Sequence, residues 1–154
     1  MADAAGYYVI ETDVEAELSC VIGAESQPTS TELNDFIADI EGEVNGYLYS
    51  VGVTTASIAS DTTPIVFRVV KQWALWGICS RVLAAMGGSV NSQMDKEEWY
   101  WSRYQLKRDE ILANPAVLGS DTPFTSAAGS LGVAGVADDD DDAHDRQFAM
   151  DDEY

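Results

Sequence analysis

The chain has 154 residues, 46% of them hydrophobic, and sets 27 acids against 8 bases for a formal net charge of −19. That length holds one domain and a tail, and the apolar fraction is enough for a core. A surface this acidic excludes binding through nucleic-acid phosphates or to an anionic membrane, since both would repel it.

The acids are unevenly placed. Residues 1–63 carry twelve acids and no base, and residues 64–120 carry seven bases and five acids. Residues 121–154 carry ten acids and a single base, Arg146. An acidic front, a mildly basic middle and an acidic end suit head-to-tail association between copies, or docking of the tail. Self-repulsion on this scale opposes folding until salt screens it, and scarce Lys beside abundant Asp and Glu resembles a halophile's proteins.

Gly6 to Ile10 is expected to form a short extended arm. Thr12 and Glu15 make a T-x-x-E capping box that should open a short helix, ending between Cys20 and Gly23. A second box, Thr29 with Glu32, follows Pro28. From there Leu33, Phe36, Ile37, Ile40, Val44, Tyr47, Leu48 and Val51 recur at intervals of three and four, an amphipathic helix. Its outer face carries Glu32, Asp35, Asp39 and Glu43. Gly42 and Gly46 weaken it by ~1 kcal/mol each, so packing must hold it, and they could admit a neighbouring helix.

Gly52 to Thr63 reads as a polar loop, and Pro64 suits the first position of the next helix. Residues 64–86 are apolar on two sides. Ile65, Val66, Val69, Val70, Trp73, Trp76 and Leu83 form one face, while Leu75, Ile78 and Val82 lie nearly opposite, beside Arg68 and Lys71. This is the pattern of a central helix, stopped by Gly87 and Gly88. Ser92 is expected to open the last helix, with Asp95 at the third position, and Asn114-Pro115 to close it. Its inner face gathers Tyr100, Trp101, Tyr104, Ile111 and Leu112. On the opposite side stand Trp99, Leu106 and Ala113, flanked by Arg103 and Glu110, a stripe that a lone copy would leave wet. The predicted class is therefore all-α: a small bundle of one short and three longer helices over residues 1–119. Residues 120–154 have the composition of an extended acidic tail.

The sequence offers no catalytic constellation. The single His144 sits among Asp142, Asp145 and Arg146 in the tail, with no nucleophile to serve. Cys20 and Cys79 lie outside any CxxC spacing and read as free thiols. The aspartate run 138–142 lacks the alternating ligands and turn glycine of a calcium loop. Glu97 and Glu98 belong to a solvated helix surface. No catalytic residue, metal or cofactor is expected. The N-terminus has no basic stretch followed by an apolar one, and Arg68, Lys71, Gln72 and Arg81 interrupt the most apolar segment. A soluble, intracellular protein with no membrane role is the expectation.

The order of elements resembles the head-tail adaptor (connector) proteins of tailed phages and archaeal tailed viruses. The resemblance runs over residues 7–118. It is carried by an aromatic stretch at Tyr7-Tyr8-Val9, a short helix from Thr12 to Leu18, and the Pro28-Thr29 turn into a helix that ends at Gly52. A long apolar helix follows, then one rich in aromatic and basic residues from Trp99 to Leu112. The resemblance implies a ring, dodecameric in the family, that joins the portal to the tail or its stopper. DNA would pass through the lumen unbound, and the protein would reside in the virion neck. Subunit contacts are expected at Trp99, Arg103, Leu106 and Glu110, with Arg68 and Lys71. In the family a C-terminal segment often clasps the portal, and Phe148, Met150 and Tyr154 are the apolar anchors available here. The rival class is an acidic DNA mimic or other regulatory module that occupies a basic partner.

Overall fold

The structure, a computed structural model, describes residues 7–87 and 91–124, and for 91–94 the backbone only. Among these residues four helices form an all-α bundle, as the periodicity predicts. They are α1, Glu11–Leu18; α2, Ser30–Ser50; α3, Pro64–Ala85; and α4, Asn91–Ala113. Single 3-10 turns occupy Thr55–Ser57 and Pro115–Leu118.

α2 begins where its capping box says it should. The Thr29 side chain accepts from the Glu32 amide, and Glu32 accepts from the Thr29 amide at 2.8 Å. Those hydrogen bonds hold the Glu32 carboxyl below its ordinary value. Along the helix Leu33, Ile37, Ile40, Val44 and Leu48 are buried. α3 starts at Pro64, where the missing amide is harmless, and it ends before Gly87 at φ +63°. It is the central helix: Val66, Val70, Trp73, Ala74, Leu75, Ile78, Val82 and Leu83 are all buried. Gly77 sets how closely its neighbours approach. A Cβ there would lie 2.9 Å from the Tyr104 ring and 3.0 Å from Ile40. Three helices thus meet at a position that tolerates no side chain. Trp73, fully buried, donates its indole N–H to the Tyr104 carbonyl at 3.0 Å, which satisfies the polar end of a large apolar group.

α1 departs from expectation. It starts at Glu11 rather than Thr12, and the Thr12–Glu15 box does not form. Instead the Asp13 carboxylate accepts from the Ile10 amide at 3.0 Å, and Glu15 accepts from the Ile22 amide at 2.7 Å. The helix ends at Leu18, with Ser19 in the left-handed region at φ 53°. Lys71 on α3 pins it through Asp13 at 2.9 Å.

The arm before α1 is fixed by a buried acid. Glu41, only 4% exposed, accepts from the amides of Tyr7, Tyr8 and Val9 at 2.8–2.9 Å. The Tyr8 hydroxyl donates to Asn45 at 2.9 Å, and the Tyr7 hydroxyl donates to the Ile58 carbonyl. An extended strip with unpaired amides would be costly to bury, and one carboxylate satisfies three of them. At the other end the compact unit runs to Phe124, past the expected boundary at 119. The Thr54 amide donates to the Pro123 carbonyl, and Val53 bridges Phe124. No helix of the described residues is long and apolar enough to cross a membrane.

Candidate protein interface

α4 divides into two sides. Tyr104 and Ile111 are buried inward, and Tyr100 nearly so. The Tyr104 hydroxyl donates to Glu43 at 3.1 Å, and Arg81 donates to the same carboxylate at 3.0 Å. The Tyr100 hydroxyl donates to Glu17 at 3.1 Å, tying α4 to α1. Burial, with Glu43 and Glu17 close by, pushes both phenols up from their ordinary range. Burial does the same to the Cys79 thiol, and Cys20 is raised in the same way. Both cysteines are free.

Two residues assigned to this inner side sit at its edge. Trp101 is 36% exposed and stacks on Tyr104 with ring centroids 5.2 Å apart, and Leu112 is 39% exposed. The reason is geometric. α2 and α3 together cover a narrower arc of α4 than five apolar positions span, so the flanking two are only half covered.

On the outer side Trp99, Arg103, Leu106, Glu110 and Ala113 are all exposed. Trp99 is 48% exposed and Leu106 is 64% exposed. They follow each other at spacings of four and three, so they form one stripe along the helix. The Arg103 guanidinium lies 5.1 Å from the centre of the Trp99 ring, which orients both side chains across the stripe. Glu110 is paired with Lys107. Lys107 in turn lines a shallow hollow of about 260 Å³ with Arg68, Val69, Gln72 and Trp76 of α3. The stripe therefore continues sideways onto α3 with a basic, apolar floor. At its N-terminal end Trp99 also walls a hollow of about 410 Å³, whose apolar lining includes Leu18, Leu83 and Met86.

Of the residues expected at a subunit contact, the fold brings together Trp99, Arg103, Leu106, Glu110 and Arg68. Lys71 is separate from them: its ammonium is committed to Asp13 within the chain. Phe148, Met150 and Tyr154, like His144, lie outside the described residues. Among the described residues no three His, Cys, Asp or Glu side chains stand close enough to hold a metal ion. Glu41 escaped the sequence reading although a signal for it exists. It falls in the same helical stripe as Ile37, Val44 and Leu48, and an acid inside such a stripe must have buried partners. The open side of α2 holds the other departure. A Cβ at Gly42 or Gly46 would have nothing within 4 Å, so no helix among the described residues approaches them.

Comparison of the chain with family models, with curated proteins and with solved structures finds no match.

Proposed function

We propose that this protein is a non-enzymatic structural component that assembles side by side into a ring. In this reading it serves as a head-tail adaptor of a tailed virus, between the portal and the tail or its stopper. The observation that carries the proposal is the outer stripe of α4. Trp99 and Leu106 expose large apolar surface beside Arg103, Arg68 and Lys107, on a helix whose other side already holds the core. Large aromatic side chains next to Arg are the residues that anchor protein interfaces. The order of helices, with its short first helix and long apolar third, supports the adaptor assignment within that class. DNA would traverse the lumen without specific binding, since a chain at −19 repels phosphate. The C-terminal anchors Phe148, Met150 and Tyr154 are proposed to meet the portal.

Electron microscopy of the purified full-length chain in molar KCl, alone and mixed with a portal ring, tests this reading. Closed rings that cap the portal are expected. A chain that stays monomeric in both conditions would contradict it. One feature favours the DNA-mimic reading: Glu32, Asp35 and Asp39 are exposed in a row on α2. A mimic would remain a monomer or dimer and displace DNA from a basic partner, so the same micrographs separate the two.

A further inference from the structure

The outer stripe of α4 has a counterpart on α2. Asp35, Asp39, Gly42, Gly46 and Tyr49 are all exposed and follow the spacing of Trp99, Arg103, Leu106, Glu110 and Ala113 position for position. Each stripe spans fourteen residue steps, about 21 Å of helix. Alternating steps of four and three are the repeat by which two helices keep one seam in contact. Among the described residues the middle of the α2 seam is open: nothing lies within 4 Å of a Cβ at Gly42 or Gly46, and Tyr49 is 75% exposed. Asp39 makes one exposed 3.8 Å ion pair with Arg81, and Glu110 pairs with Lys107 on its own helix, so both remain on the surface.

The two stripes are opposite in shape and charge. α4 presents bulk and a cation, while α2 presents two acids, a flat middle and an aromatic end. Laid side by side in parallel, Trp99 comes beside Asp35, Arg103 meets Asp39, Leu106 enters the space above Gly42, Glu110 passes over Gly46, and Ala113 leaves room for Tyr49. Run antiparallel over the same length, Leu106 would still lie on Gly42, but Glu110 would face Asp39 and Arg103 would lose its acid to Gly46, so like charges would meet. Across the interface the partner surface also belongs to the segment that carries twelve acids and no base, whereas the α3–α4 side is the net basic part of the chain.

We infer that the occupant of the α4 stripe is the α2 stripe of a second copy, packed parallel. Two different patches of one chain then meet in a heterologous contact, which each copy makes twice, and which closes into a ring or continues as a filament. This rests on the ring reading above and names the face it lacks.

Charge reversal tests it. Full-length Arg103→Asp and Asp39→Arg chains are prepared separately, at one salt concentration where the wild type assembles, and sized by analytical ultracentrifugation. Each alone is expected to raise the apparent dissociation constant by about tenfold or more. An equimolar mixture is expected to recover assembly, because each chain then offers the other a complementary pair. Gly42→Leu provides a variant whose folding is not in question, since open space surrounds that position. It should melt no lower than the wild type while failing to assemble. If both reversals disrupt assembly and the mixture does not recover it, α2 is not the partner, and the ring reading stands with another face. If Asp39→Arg and Gly42→Leu both assemble like the wild type, the inference is overturned in the same way. A wild-type chain that never assembles overturns both.

Discussion

On α4, Tyr104 and Leu106 stand two residues apart and face opposite ways. Tyr104 is packed against Gly77 and Trp73, and its hydroxyl and carbonyl both have partners. Leu106 touches solvent over most of its surface. On the buried side the polar groups that tie the helices together are answered: Glu41 by three amides, Glu43 by Tyr104 and Arg81, Trp73 by a carbonyl. The outer stripe is apolar where folding does not require it. The difference separates residues that hold the fold from residues free to meet a partner, although one helix carries both.

The strongest way to break the inner side is Glu41→Ala. It leaves three amide donors of the arm without an acceptor, and each buried unsatisfied group costs about 1–3 kcal/mol. A loss of about 3 kcal/mol or more is expected in urea unfolding, and Glu41→Gln, which keeps one acceptor oxygen, should lose less. An unchanged urea midpoint for Glu41→Ala would mean that the arm contributes nothing to stability.

Alkaline pH probes the same side more gently. Burial raises the Cys79 thiol above its ordinary value of 9.0 in the folded chain. Above pH 9 the unfolded chain loses that proton while the folded chain keeps it, so stability must fall as pH rises. The expected slope is about 1.4 kcal/mol per pH unit for this group, with none from it between pH 7 and 8. Urea melts of the wild type and Cys79→Ala from pH 7 to 11 check the sign. The mutant should lose less over the alkaline span, and equal losses would remove Cys79 from the explanation.

How much of this was readable from the sequence depends on how local each cause is. The Thr29–Glu32 box, Pro64 at the start of α3 and the stop at Gly87 act within a few residues, and all three stand in the fold as expected. The apolar stripe of α2 is equally local. The Thr12–Glu15 box failed because Asp13 caps Ile10 first and a distant amide, that of Ile22, takes Glu15. Glu41 was hidden for a related reason: its partners come from Tyr7 to Val9, more than thirty residues away. Lys71 looked available to a neighbour because nothing local reveals Asp13, fifty-eight positions back, as its partner. The outer stripe of α4 was legible because exposure follows directly from helical spacing. What it meets does not, since a second copy is invisible in the periodicity of one chain.

The central claim is that the α4 stripe serves association and not folding. The most direct measurement pairs a urea melt with sedimentation on one variant, Trp99→Ala combined with Leu106→Ala, beside the wild type at the same salt. Both side chains are substantially exposed, so stability should change by only about 0.5 kcal/mol for each. Assembly should be lost, because removing an interface aromatic alone costs about 2 kcal/mol or more of association. A variant that folds like the wild type and sediments as a monomer is the predicted result. One that folds and assembles like the wild type would contradict the account.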